Sequence, residues 1–198
     1  ELLELVDRAA SQGFQVATHA IGDAANAQAI STYEQLGKRY PGDRRWRIEH
    51  VQIIDPADIP GLAPAGIVAS MQPTHQVSDR TMAEARLGPE RLDGAYAWAT
   101  IARSGARLAF GSDFPVESPN PLLSFYTAVT RQDAEGWPVG GWMGEQRMTR
   151  QEALNHLTIW PAYASFQEQQ IGTLTPGKLA DIVILSQDIM TIPAEQIL

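Results

Sequence analysis

The spacing of apolar residues along the chain predicts short helices that alternate with short strands. The first ten residues place their apolar side chains on one face of a helix, and Gly13 follows as a stop signal. From Phe14 to His19 the pattern changes to alternation, with bulky or branched side chains at every second position. Such alternation is typical of a barrel strand whose larger side chains face outer helices and whose smaller or polar ones face inward.

The same rhythm of strands and helices continues to residue 71. Strands are predicted at 14–19, 45–50 and 67–71, and helices at 23–39 and 56–66. Asp55 and Pro56 are typical of a helix start, because Asp can cap the helix and Pro fits its first turn. Short links between alternating strands and helices are typical of parallel strands joined by crossover helices. The sequence therefore predicts an α/β fold.

Beyond residue 71 the rhythm is less regular. Loops are predicted at 72–79 and 132–147, and helices at 93–103 and 122–130. A short buried strand, Leu108 to Phe110, breaks at Gly111. Thr149 and Glu152 have the spacing of a capping box at the start of a further helix.

The last thirty residues have a different pattern of residue types. Pro176 and Gly177 predict a turn, and Asp181 to Leu185 predicts a β strand. Because this strand does not follow the α/β rhythm, we expect it to belong to a separate small β structure. The predicted domains are residues 1–168 and residues 169–198.

Composition and charge exclude several classes of function. The chain of 198 residues has 15 Lys and Arg against 23 Asp and Glu, a formal net charge of −8, which argues against binding to nucleic acid or to an acidic membrane. The absence of cysteine excludes disulfides, a thiolate metal site and a cysteine nucleophile. No apolar run is long enough for a membrane span, and the first residues have neither the basic region nor the apolar core of a signal peptide. We expect a cytoplasmic location. Since the chain begins within a helix and without Met, we interpret it as a piece of a longer polypeptide.

Three side chains that can bind a metal end or follow predicted strands. His19 ends the first strand, His50 ends the second, and Asp113 comes just after the strand that breaks at Gly111. The carboxyl ends of parallel strands in an α/β barrel gather an active site. A catalytic zinc takes three protein ligands of this kind and leaves a position for water. Each residue alone is also compatible with packing or capping, but the coincidence of three strand ends favours a metal site.

The remaining candidates are weaker. His75 follows the third strand, on the predicted loop, where it could donate a hydrogen bond to a developing oxyanion or to a substrate, or simply bond to the backbone. His156 lies within a helix and is interpreted as structural. Asp23 and Glu117 are candidates for orienting the ligands, although a helix cap also explains Asp23.

Taken together, five segments of the sequence resemble the amidohydrolase superfamily, specifically amidohydrolase family 3, the N-substituted formamide deformylase-like branch. They are Thr18-His-Ala-Ile-Gly-Asp23, Ile48-Glu-His50, Ser70-Met-Gln-Pro-Thr-His75, Phe110-Gly-Ser-Asp-Phe-Pro-Val-Glu117 and residues 172–184. The resemblance covers nearly the whole chain and implies the C-terminal portion of the family's polypeptide.

That resemblance implies a fold and a set of roles. The fold would be the C-terminal half, strands five to eight, of a TIM-like (β/α)8 barrel, with a short piece of a β-sandwich at its end. His19 and His50 would be metal ligands, and Asp113 would bind metal and act as general base. The resemblance implies one or two divalent ions, with zinc expected. Ligands from the family's first four strands are absent, so the remainder of the barrel or a homo-oligomer partner would be needed.

The sequence thus predicts a metal-dependent hydrolase of non-peptide carbon–nitrogen bonds in small molecules such as amides or N-substituted formamides. The reaction would use a metal-activated water, with Asp113 and His75 as the catalytic residues. The alternative is a non-catalytic fragment or degenerate homologue that serves as a packing or interaction module.

Overall fold

The computed structural model describes residues 1–198, and its organising element is a four-stranded sheet with the strand order β1-β2-β3-β4. The strands are β1 Ala17–Ala20, β2 Arg47–His50, β3 Val68–Met71 and β4 Arg107–Phe110. The β1–β2 and β2–β3 pairs are parallel. The predicted α/β class with a parallel sheet is therefore confirmed.

Helices connect the strands and follow the last of them. They are α1 Leu2–Ser11, α2 Asp23–Arg39, α3 Ile59–Leu62, α4 Pro73–Leu87, α5 Trp98–Arg103, α6 Pro121–Thr130, α7 Arg150–Leu157 and α8 Ile159–Ala164. Single 3₁₀ turns occur at Pro89–Arg91, Gly144–Gln146 and Ala194–Gln196. No helix combines the length and the apolar character that crossing a bilayer requires.

One compact unit comprises residues 1–71 and 83–108. Helix α2 packs on β1, and α1 packs on α2. Tyr33 of α2 is buried and ties both strands to the helix, because its hydroxyl donates to the Arg47 carbonyl oxygen at 2.9 Å and lies 2.6 Å from Thr18 Oγ1. Burial raises the pKa of Tyr33 to about 12. Thr18 therefore faces the outer helix, as the alternation of the sequence predicts.

The second compact unit comprises residues 72–82 and 109–198. Helix α6 packs on α7, and α7 on α8. The predicted capping box is present, since Thr149 Oγ1 accepts from the Glu152 amide while the Glu152 carboxylate accepts from the Thr149 amide. Arg131 is fully buried and its Nε donates to the Trp142 carbonyl oxygen at 2.8 Å, which fixes the loop after α6.

The predicted loop at 72–79 is wrong, because this stretch forms the first half of α4. Pro73 begins the helix, where its fixed φ and missing amide hydrogen are no disadvantage. The polar residues at the start of this helix are not exposed, since Thr74, His75 and Gln76 are all buried. His75 therefore lies in the first turn of a helix, and not on a loop.

Two other predicted helices are shorter than expected. The predicted helix at 56–66 forms only α3, and the one at 93–103 forms only α5. The residues just before α5 instead bond to the chain beyond β2: the Tyr96 amide donates to the Gln52 carbonyl oxygen at 2.7 Å and the Ile54 amide to that of Gly94 at 3.0 Å. These long-range backbone bonds outweigh the local helical pattern.

The predicted strand at 181–185 does not form in this chain. Its side chains are exposed, with Val183 at 79% and Ile184 at 93% relative exposure. A strand needs a neighbour to satisfy its backbone groups, and no other strand pairs with this segment. The division into domains 1–168 and 169–198 stays a prediction.

Candidate functional site

The first unit brings His19 and His50 together. His19 lies on β1 opposite Glu49 of β2, and His50 ends β2 opposite Ala20. The two imidazole rings meet edge to face, with centroids 4.6 Å apart. His19 is exposed and His50 is buried, so one ring is open to solvent while the other is held within the unit. Because side chains alternate along β1, His19 lies on the face opposite Thr18 and its helix contact.

The backbone at His50 is in the left-handed region, with φ of +80°, and Val51 follows with φ of +45°. Such values are unfavourable for residues other than glycine, and most of all for a β-branched residue such as Val. Hydrogen bonds maintain the turn: the Val51 amide donates to the Ala20 carbonyl oxygen at 3.1 Å, and the Ile53 amide to that of Ile21 at 2.8 Å. Left-handed backbone of this kind concentrates at functional sites, where it aims a side chain.

The second unit brings His75 and Asp113 together. Asp113 lies three residues beyond the end of β4, and its Oδ2 is 3.8 Å from His75 Nε2. His75 is buried, whereas the Asp113 side chain is 39% exposed. The two side chains are close enough to contact one substrate, water or ion. Asp113 also has left-handed backbone, with φ of +56°.

The donor chemistry of these residues suits a divalent metal. Imidazole nitrogen and carboxylate oxygen are the ligands that zinc accepts where thiolates are absent, and the chain has no cysteine. The first unit offers two imidazoles and the second offers an imidazole beside a carboxylate. The residues present therefore fit such an ion.

Two of the weaker candidates have structural explanations. His156 of α7 is buried, and its ring packs 5.3 Å from that of Phe110. Asp23 is the first residue of α2, where its carboxylate accepts from the Ala24 amide and from Arg91. These two hydrogen bonds, the backbone one first, lower the pKa of Asp23. Gly22 occupies the N-cap position of α2, so the prediction of Asp23 as the cap is wrong by one residue, and Asp23 instead lies in the first turn.

The structure also shows contacts of helix α4 that sequence reasoning missed. Ser78 of α4 donates to Glu117 Oε1 at 2.7 Å. Arg80, two residues further on, places its guanidinium 4.0 Å from the centre of the Trp137 ring and donates to the Trp137 carbonyl oxygen at 3.1 Å. The interpretation of 72–79 as a loop concealed these contacts, since the spacing from His75 to Ser78 has meaning only on a helix.

Comparison with known proteins places these features in a family. The profile of the amidohydrolase family matches residues 1–198. The chain is 42% identical to Protein LONG AFTER FAR-RED 3 of Arabidopsis thaliana, over 88% of this chain and 30% of that protein. It is 26% identical to N-substituted formamide deformylase of Arthrobacter pascens, over 95% of this chain and 34% of that protein.

A similar fold occurs in a solved structure. The crystal structure of an uncharacterized metal-dependent hydrolase from Pyrococcus horikoshii OT3 superimposes with a TM-score of 0.84 and 29% sequence identity. The match covers 98% of this chain and 38% of that one. The chain spans about a third of the length of the curated relatives that it matches.

Proposed function

The chain belongs to the amidohydrolase family, and from that premise we propose that it is the part of a metal-dependent hydrolase that supplies His19, His50 and Asp113 as metal ligands. The observation that carries the proposal is the position of these residues. His19 and His50 lie at the carboxyl ends of adjacent parallel strands, and Asp113 comes shortly after β4. In α/β barrels this end of the strands carries the chemistry.

The substrate class in this proposal is a small molecule with a non-peptide carbon–nitrogen bond, such as an amide or an N-substituted formamide. Its support is the likeness to a relative named for formamide deformylation. Zinc is the proposed metal, because the ligands are imidazoles and a carboxylate. A divalent ion of this kind, when bound, lowers the pKa of a water molecule and polarises a carbonyl oxygen.

The side chains of the second unit have distinct roles in the proposal. Asp113 acts as general base: its carboxylate takes a proton from the attacking water and later gives it to the leaving nitrogen. Because the Asp113 side chain is 39% exposed, both the attacking water and the leaving nitrogen can reach its carboxylate. His75 donates a hydrogen bond to the substrate carbonyl oxygen as negative charge develops there. Burial in the first turn of α4 holds its ring in place for this purpose.

In this proposal the chain supplies only part of the site. It spans about a third of its relatives' length, and the proposed fold is the C-terminal half of a (β/α)8 barrel ending in part of a β-sandwich. We propose that the remainder of the barrel, or a second copy of the chain, supplies the other ligands.

Substitution in the natural polypeptide that contains this chain tests the proposal. His19→Ala and His50→Ala should lower bound metal and amide hydrolysis together, while Asp113→Asn should mainly lower the rate. His156→Ala is the matched control, because it removes an imidazole that packs on Phe110, and its metal content per folded molecule should be unchanged. Elemental analysis and amine release provide the measurements.

Unchanged metal and turnover in all three variants would overturn the assignment. A purified natural polypeptide with neither stoichiometric metal nor hydrolysis would instead favour the non-catalytic module.

A further inference from the structure

Helix α4 contacts the loop that carries Asp113 at two points. His75 and Ser78 are three residues apart on the helix, so their side chains lie on the same face. His75 Nε2 lies 3.8 Å from Asp113 Oδ2, and Ser78 Oγ lies 2.7 Å from Glu117 Oε1. Asp113 and Glu117 are four residues apart at the two ends of one turn. One face of the helix therefore contacts both ends of this turn.

The Ser78 hydrogen bond is directed at the loop and not at its own helix. The hydroxyl also lies 3.4 Å from the Thr74 carbonyl oxygen and 3.3 Å from that of His75. It has one proton to donate, and the carboxylate is both nearer and the stronger acceptor. Helix capping does not explain Glu117 either, because Asn120 caps α6 through the Leu122 amide at 3.0 Å.

The turn needs such support because its own hydrogen bonds are few. The Val116 amide donates to the Asp113 carbonyl oxygen at 2.8 Å, and the Phe114 amide lies 3.3 Å from Ser112 Oγ. Asp113 itself has φ of +56°, a conformation that costs free energy and persists only where its surroundings fix it. Phe114 and Val116 are exposed and contribute little burial.

We propose that the Ser78–Glu117 hydrogen bond is a positioning contact that holds the turn 113–117 and thereby keeps the Asp113 carboxylate beside His75. Neither Ser78 nor Glu117 acts as a catalytic residue. The catalytic consequence rests on the proposed function, since it assigns the proton transfer to Asp113. The mechanical consequence, an ordered turn, does not depend on it.

Hydrogen exchange of this chain tests the mechanical consequence without any metal. Ser78→Ala should make amides in the peptide 112–118 exchange about fivefold faster, because an exposed hydrogen bond contributes about 1 kcal/mol. Ser78→Thr keeps the hydroxyl and should restore the wild-type rate. Ser165→Ala is the matched control: it removes a hydroxyl that donates to the Pro161 carbonyl oxygen at 2.9 Å, and it should leave this peptide unchanged.

A double-mutant cycle sharpens the assignment to the pair. Glu117→Ala should accelerate exchange as much as Ser78→Ala does, and the double variant should be no faster than either one. Unchanged exchange in Ser78→Ala, or fully additive effects in the double variant, would overturn the proposal.

Kinetics of the natural polypeptide test the catalytic consequence. Ser78→Ala should lower kcat several-fold with KM and bound metal unchanged, and Ser78→Thr should recover kcat. Faster exchange with unchanged kcat in an active enzyme would overturn the positioning role. If the unmodified natural polypeptide shows no metal-dependent hydrolysis, the proposed function is overturned. The exchange measurements would still decide whether the contact holds the turn.

Discussion

Residues 47–50 and residues 181–185 are both strand-forming stretches by sequence, yet only the first forms a strand. In β2, Ile48 is fully buried and the strand has a parallel neighbour on each side. In the C-terminal stretch, Ile184 is 93% exposed and no strand lies beside it. Residue type does not explain the difference, because the stretch that forms no strand, Asp-Ile-Val-Ile-Leu, has more strand-favouring residues than Arg-Ile-Glu-His of β2. What differs is the presence of partners. β structure depends on the surface that receives it more than on intrinsic preference.

The largest test of this comparison concerns the chain just beyond β2. A Cβ on Gly94 would lie 1.6 Å from the Ile54 carbonyl oxygen, and backbone cannot yield as a flexible side chain can. Gly94→Ala should therefore cost about 4 kcal/mol or more of unfolding free energy, or prevent folding. The matched variant is Gly177→Ala, which has open space around it and φ of +95°, and should cost only about 1 kcal/mol. Denaturant unfolding compares the two, and equal losses would contradict the difference in anchoring.

A pair of isoleucine truncations tests the comparison directly. Ile48→Ala creates a cavity at a fully buried position and should cost about 3 kcal/mol. Ile184→Ala removes the same atoms from an exposed side chain and should change the unfolding free energy by less than about 0.5 kcal/mol. Thermal and urea unfolding provide the measurement. A loss at Ile184 as large as that at Ile48 would show that the C-terminal segment is buried in solution.

Sequence patterns gave the elements whose determinants are local. The strand ends that carry His19 and His50, the helix 23–39 and the capping box at Thr149 were all predictable from alternation, spacing and cap residues. Helix α4 was not, because its polar residues are buried by tertiary contacts that alternation cannot reveal. The first part of the predicted helix 93–103 does not form, because its backbone bonds instead to residues beyond β2.

The site shows the same division between local and distant determinants. Its candidate ligands were found by type and by their position near strand ends. The left-handed backbone at His50 and Asp113 leaves no mark in the residue type, since neither is glycine. The Ser78–Glu117 contact joins residues 39 apart, and no local pattern could predict it.

The stability of the protein at alkaline pH tests the contact of Tyr33 with β1 and β2. Because burial raises the pKa of Tyr33 from 10.0 to about 12, the folded state retains its phenolic proton where the unfolded state has lost it. The stabilisation is fully present below about pH 10 and is lost as the pH rises toward 12, by about 3 kcal/mol in all. Tyr33→Phe should remove this pH dependence. The control is Tyr40, whose hydroxyl donates to the Asp7 carboxylate at the surface. Tyr40→Phe should largely retain the pH dependence in urea unfolding measured from pH 9 to 12.

The smallest effect is expected where the C-terminal segment is attached. Although residues 181–185 have no strand partner, the chain a few residues later is tied to α7, because Arg150 donates to the carbonyl oxygens of Ile189 and Ile192. Arg150→Ala should therefore accelerate amide exchange over 188–193 while lowering the unfolding free energy by only about 1 kcal/mol. Arg150→Lys keeps the charge but cannot bond to both carbonyls in the same fork geometry, so an intermediate rate is expected. If exchange over 181–185 slowed to the rate of β2 in the natural polypeptide, the missing partner would be supplied by the rest of that protein, and the contrast between the two stretches would be a matter of context alone.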